Sequence, residues 1–483
     1  MFVRGILGYL PSNILQAVVG VATIWVFTHL LTAEQFGIYA LSFAVLTLAH
    51  VSLFSWIEAA MERHWAEADR DGGHGALYAT LYKTALLISV LFVPVVIGTY
   101  LFLPASAEIR IAVCIGLIGV PVRCCMNLVK VALRARGDVR RAANLDMFFV
   151  VAGFAIGIVA ALSGAGGSAP LIGLLIAPLL LLPVVLPAEL KRARGGVLNA
   201  DRLKAFAAYG YPISISLGMG LILATTDRFM LEWLMGEAAV GAYHASYSLA
   251  SRTLDVMFIW LGTAGAPALV MALERGSRDA LKEAATDQAR ALILLTIPAA
   301  VGLALVARPL AEVVIGPQLR SASAMVTPWI AASALLSGFL YYYFNQAFTL
   351  AKRTRLLLVT MLIPAVVNIG GNLVLIPRFG LSGAAAASVA GYGVGVIASI
   401  FVGRRTLLMP VPMRDLTLCL ACSAAMAAVV LMLPSFGGIG EVMLDASVGA
   451  LVYAALVYAT NAGNARQLLA RIRGEARGVE AAL

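Results

Sequence analysis

Charge is what this sequence has least of. Asp, Glu, Lys and Arg make up 12% of its 483 residues, where a water-soluble domain carries about a quarter. That deficit excludes an ordinary soluble domain. Segments of about ten residues with strict apolar–polar alternation are also missing, which excludes a membrane β-barrel. Cysteines number five, an odd count, and all (Cys114, Cys124, Cys125, Cys419, Cys422) lie in apolar stretches, so no disulfide framework is expected. CLAC at 419–422 has redox spacing, but in an apolar helix it reads as small packing residues. The five histidines are scattered, with neither an HExxH motif nor a Cys–His cluster, and no metal centre or other cofactor is expected. GYGVG at 391–395 follows no strand and opens no phosphate loop; it reads as close helix packing.

What is present in excess is apolar length. Hydrophobic residues reach 61% and mean hydropathy is +0.92. At about 20 residues per crossing, the runs predict an all-α polytopic membrane protein of about 14 helices. They lie near 10–30, 36–60, 77–102, 109–133, 143–163, 169–188, 206–234, 239–273, 290–307, 322–350, 356–377, 380–403, 414–434 and 441–460. The first run is too long for a signal peptide and ends in no small-residue cleavage site, so it reads as a retained span. Connections alternate between basic (RARGDVRR, KRARGGVLNADRLK, AKRTR, GRRTL) and nearly charge-free (TAEQ, PASAE, SGAGGSAP, PSFGGIGE). By the positive-inside rule the basic faces and both termini are cytoplasmic. The net charge of +10 then reflects topology and attraction to anionic lipid, not nucleic-acid binding. The basic tail 462–483 reads equally as a surface helix or a solvated segment.

The chain also repeats itself. LLTAEQFGIY at 30–39 resembles WLMGEAAVGAY at 233–243, and FVPVVIG at 92–98 matches TIPAAVG at 296–302. Gly37 and Gly241, Tyr39 and Tyr243, Pro94 and Pro298, and Gly98 and Gly302 are each 204 residues apart. MNLVKVALRARG at 126–137 parallels FNQAFTLAKRTR at 344–355, aligning Asn127 with Asn345. An even number of helices per unit predicts a parallel repeat about an axis along the membrane normal. The expected organisation is a six-helix bundle over 1–190, a second over 191–405, and two further helices with a basic tail over 406–483. Two such bundles facing across a cavity form a transporter architecture.

Against this apolar background a few charges fall inside spans, where each costs about 2.5–3.5 kcal/mol. Arg252 and Asp255, three apart, and Arg228 and Glu232, four apart, are spaced to pair. Asp227 has no opposite charge within its own turn and takes Arg252 as nearest candidate. These groups read either as clamps between helices or as lining of a wet interior, and Asp227 also as an ion-coupling carboxylate. Arg123, in VPVRCCMNLVK, has no carboxylate within four residues and only Asn127 as a polar neighbour on its face. An unpaired cation in mid-span points to a cavity. His50, Glu58, Asp146, Asn368 and Asn372 are further candidates for the route, with Glu58 readable as a snorkelling end residue. The rings of YYYFNQ at 341–346 read as sugar stacking or as packing.

LLTAEQFGIYALSFAVLTL and DRFMLEWLMGEAAVGAYHASYSL resemble oligosaccharide flippases of the polysaccharide-export type, over about residues 5–405. Those flippases share a superfamily with multidrug-and-toxin extrusion antiporters and lipid II flippases. The resemblance implies a non-enzymatic carrier in the bacterial inner membrane. Its cargo would be an undecaprenyl-diphosphate-linked glycan for surface polysaccharide, and its partners anionic lipids and the polysaccharide polymerase and export machinery. On that reading Arg123, Arg252, Arg228, Asn127 and His50 face the anionic headgroup. Asp227, Asp255 and Glu58 serve ion coupling (to protons or sodium) or clamp helices. Lipid II flippases carry arginines in the first two spans, whereas span one here offers only Asn13, Gln16, Thr23, Thr28 and His29, which argues against lipid II as cargo. The alternatives are an organic-cation antiporter of the same superfamily, a membrane-embedded glycan polymerase, for which the outer loops leave little room, and a scaffold of an assembly complex.

Overall fold

A computed structural model describes residues 2–274, 277–351 and 353–467. Its helices are α1 (Phe2–Leu30), α2 (Ala33–Leu53), α3 (Ser55–Arg70), α4 (His74–Phe102), α5 (Ala107–Ala135), α6 (Val139–Leu162), α7 (Ala169–Arg192) and α8 (Ala200–Met235). There follow α9 (Glu237–Glu274), α10 (Arg278–Leu305), α11 (Ala307–Val314), α12 (Pro317–Phe339), α13 (Gln346–Leu350), α14 (Thr354–Gly403), α15 (Met413–Val430) and α16 (Gly438–Thr460). Among the described residues thirteen helical stretches are long and apolar enough to cross a membrane. One of them, α14, is two arms broken at Gly380, whose φ of 58° and ψ of −134° no helix contains, so counting its arms separately gives the expected fourteen; the fold is all-helical. The protein is a multi-pass membrane protein. The tail beyond residue 467 lies outside the described residues.

The chain forms two compact units, Met1–His244 and Ala245–Leu483. In the first, α5 packs against α2, α3, α4 and α7, while α6 pairs with α7 and carries α1. Helix α8 lies on α2 and α3, which is why this unit extends well beyond α7. The repeat motif itself shows why it is glycine-rich. Thr32 caps α2 in a reciprocal box with Gln35, both bonds 3.2 Å. One turn on, a Cβ on Gly37 would strike the carbonyl of Glu237, and one on Gly241 the carbonyl of Ala33. The two repeat-matched glycines thus let the starts of α2 and α9 cross backbone to backbone.

In the second unit α12 packs on α10 and α14. The arms of α14 are tied by Asn368, which donates to Ser388 Oγ at 3.2 Å and itself accepts from Asn372 of the same arm at 3.1 Å. Helices α15 and α16 pack together and onto α10. Cys419 and Cys422 sit in that apolar core with Leu294, Met426 and Tyr453, and all five cysteines are free. Gly391 and Gly395 bring the second arm of α14 against Pro364 of the first, as close packing requires.

Three features depart from the sequence expectation. The predicted span 36–60 is two helices, because Phe54 leaves the helical region (φ −124°, ψ −22°) and the polar α3 begins. Residues 340–344, LYYYF, form a π turn between α12 and α13. The short α11 was not expected.

Candidate functional site

The break at Phe54 creates a polar site within the first unit. His50 ends α2 and Glu58 lies in the first turn of α3, so the bend folds the two side chains together. His50 Nε2 is 3.1 Å from Glu58 Oε1. From α5, the Asn127 amide donates to the same oxygen at 3.1 Å and lies 3.4 Å from His50 Nε2. With an amide donor beside both, a proton on Nε2 directed at Glu58 satisfies the three contacts, and Nδ1 is buried without a partner. His50 stacks on Phe54, with ring centroids 6.4 Å apart. Below, Trp56 stacks on Tyr211 at 4.9 Å and Ser55 bonds Ser214 at 2.6 Å, which pins α3 to α8.

Arg123 stands one turn before Asn127 on α5. It is half-buried, and among the described residues it makes no hydrogen bond or ion pair. Glu58 acts on it through its charge alone, since Oε1 of that carboxylate is already engaged by His50 and Asn127. A planar guanidinium with five N–H donors is therefore held in a membrane helix with none of them engaged. The site can accept the oxygens of an anion.

The remaining candidates fall elsewhere. Asp227 and Arg228 are buried in the first unit: Asp227 accepts from Tyr243 at 2.6 Å and Arg228 donates to its own helix at Ala224 O. Among the described residues no ion pair joins Arg228 to Glu232, which the spacing allowed; one guanidinium nitrogen reaches back along α8 instead. Nor is Arg252–Asp255 formed. Arg252 is exposed while Asp255 is half-buried, beside Tyr341 and Tyr342 whose rings feel its charge. Asp146 pairs with Lys130 at 2.8 Å, a clamp between α5 and α6.

The rings of 341–346 are used in packing. Tyr341 meets Tyr392 edge-on at 6.2 Å, Tyr342 stacks on Phe258 at 6.1 Å, and Tyr343 donates to Ala285 O and Pro410 O. In α1, Gln16 donates to Ser12, and Thr23 and Thr28 bond carbonyls one turn back.

The polar cluster needed two things that sequence spacing did not supply: the bend at Phe54, and the approach of α5 that places Asn127 against residues about seventy positions earlier. No titratable cluster among the described residues could hold a metal ion.

Solved structures share this fold. The lipid II flippase MurJ in an inward closed conformation superposes with a TM-score of 0.78 over 95% of this chain and 99% of its own, at 14% identity. An inward-facing multidrug resistance MATE family transporter of the MOP superfamily gives 0.65 over 81% and 94%, at 16% identity. A MOP superfamily transporter from Pyrococcus furiosus gives 0.55 over 83% and 92%, also at 16%. At such identities the likeness is one of fold. No curated protein sequence matches. The polysaccharide biosynthesis protein family matches over residues 26–324, more than half of the chain, and this chain belongs to that family.

Proposed function

We propose that this protein is a flippase, a carrier and not an enzyme, that moves a lipid-linked oligosaccharide diphosphate from the cytoplasmic to the outer leaflet of a bacterial inner membrane. Family membership supplies the glycan context and the shared fold supplies the precedent of a lipid-linked cargo. The observation that carries the reading is Arg123, a guanidinium with unengaged donors braced beside the His50–Glu58–Asn127 cluster. A diphosphate crossing about 30 Å of hydrocarbon needs a fixed counter-charge on its way, while an isoprenoid tail stays in lipid. Asn127 and His50 act by holding Glu58 off Arg123. An inside-negative potential works in the same direction, contributing about 2.3 kcal/mol per charge per 100 mV, so an ion gradient is an optional drive. With the basic connections inside, both termini are cytoplasmic.

Arg123→Ala tests this. Surface polysaccharide should be lost and its lipid-linked precursor should accumulate in the inner leaflet, at unchanged protein level. Arg123→Lys, which keeps the charge without the planar fork, should retain part of the export. Normal export in Arg123→Ala removes the proposal.

A second reading, organic-cation antiport, has one observation in its favour. Asp255 is a half-buried carboxylate with no hydrogen bond or ion pair among the described residues. Cells carrying Asp255→Asn should then become sensitive to toxic cations while polysaccharide export continues.

A further inference from the structure

A cavity of about 590 Å³ opens between the ends of α5, α6 and α7, in the first unit and away from Arg123. Its wall is apolar, with Leu133, Phe148, Leu181 and Val184 among the lining residues, and its rim carries Arg136, Arg141 and Arg192. Val184 is 72% exposed and neighbouring Leu180 57%, as residues facing acyl chains are. One end of the cavity is therefore greasy and open to lipid, and the other is cationic.

The polar end is unevenly satisfied. Glu189 is 4% exposed. Its Oε1 takes Arg136 at 2.8 Å and lies 3.7 Å from Arg192. Its Oε2 is buried with no partner; the hydroxyls of Tyr78 and Tyr82 feel the Glu189 charge but do not bond to it. Among the described residues the one ion pair of Arg141 is with Asp138, at 3.3 Å, and its side chain is 77% exposed. Three guanidiniums face two carboxylates, leaving one net positive charge and several free donors beside one carboxylate oxygen that still needs a donor. A buried polar atom without a partner is costly, about 1–3 kcal/mol, so this carboxylate is held mainly by Arg136.

We propose that this cavity binds a membrane glycerophospholipid with a singly anionic headgroup of the phosphatidylglycerol type. The phosphodiester meets Arg141 and Arg192, and the acyl chains lie along α6 and α7. Choline and ethanolamine headgroups bring no net negative charge to match the rim. Basic pockets between spans are recognised sites for anionic headgroups. The inference is independent of the cargo reading and concerns a resident lipid.

The test uses the full purified chain in mild detergent. Its thermal unfolding is followed while short-chain phosphatidylglycerol, phosphatidylethanolamine, phosphatidylcholine or inorganic phosphate is added. Phosphatidylglycerol should raise the midpoint saturably by several degrees, and the other three should not. Arg141→Gln with Arg192→Gln should weaken half-saturation at least tenfold. Val184→Trp, which narrows the cavity from an exposed position without touching the charges, should weaken it too. Native mass spectrometry should count one retained lipid in the wild type and none in the double variant. Should the variants fold poorly, the wild-type lipid series still decides. An equal response to phosphatidylcholine, a response to inorganic phosphate alone, or an undiminished phosphatidylglycerol response in folded variants overturns the proposal.

Discussion

The same stretch of chain occurs twice and is put to opposite uses. FSWIEAA at 54–60 has its counterpart in FIWLGTA at 258–264, again 204 residues on. In the first copy the helix breaks at Phe54 and gathers His50, Glu58, Arg123 and Asn127. In the second, α9 runs unbroken through Phe258, and the matched positions are Leu254, Gly262, Tyr341 and Asn345. There Phe258 stacks on Tyr342, Gly262 lies against the same ring, and Asn345 Oδ1 accepts from Ser399 at 3.3 Å. One copy opens at a helix break and gathers charged side chains there; the other has none at the four matched positions and is closed by aromatic packing. The sequence likeness survives in both halves while acid and base side chains stand at these positions in only one.

Putting charge into the closed copy should be the most damaging change. Gly262→Glu introduces a carboxylate against Tyr342 with no cation to meet it, and a Cβ at this position already lies 3.3 Å from the ring. The cost should be about 3 kcal/mol, read as a fall in the unfolding midpoint and in membrane-inserted protein. Tolerance of this substitution would show that the second copy is also wet.

Taking charge out of the open copy should cost function instead. Arg123→Tyr makes the first copy resemble the second. It should reduce transport by about tenfold to a hundredfold, the equivalent of one charge-assisted hydrogen bond at about 1.5–3 kcal/mol. Stability should change by less than about 1 kcal/mol, because Arg123 has no hydrogen bond to lose. Flux in vesicles carrying the lipid-linked substrate, measured beside a melting curve, separates the two effects.

Much of this difference was legible before any coordinates. The spans follow from apolar length, and Arg123 stands out because no carboxylate lies within a turn of it. The repeat was legible at Gly37 and Gly241 because crossing backbones tolerate nothing larger. What composition could not reveal was direction. Residues 50 and 58 are too far apart to meet on one straight helix, and only the bend at Phe54 brings them together. Spacing likewise suggested that Arg252 reaches Asp255, but a three-residue interval permits a pair without forming one. The aromatic run 341–346 was ambiguous for the same reason: ring type is written in the sequence, while the ring's neighbour is not.

The matched asparagines sharpen the comparison at smaller energy. Asn345→Ala removes a buried hydrogen bond and leaves the Ser399 hydroxyl unpaired, so it should lower stability by about 1 kcal/mol with transport retained. Asn127→Ala should do the reverse. It frees Glu58 to turn toward Arg123, and transport should fall more than stability. Equal effects of both substitutions on both measurements would mean that the two copies do the same work.

The smallest effect is expected in α3, the helix that exists only because the first copy breaks. Its far end carries Glu67, whose carboxylate is held below its usual range by the hydrogen bond from His64, 3.0 Å away, and by the charge of that ring. A carboxyl with a lowered pKa stabilises the folded state above its ordinary titration range, and that contribution disappears as pH falls through the folded-state value. Because Glu67 is fully exposed, the gain is small. Melting curves of wild type and Glu67→Gln should therefore differ slightly at neutral pH and converge in acid. A difference that grew as pH fell would mean that the pair opposes the fold, and that α3 owes its place on α8 to packing such as that of Trp56 on Tyr211 and His64 on Phe206.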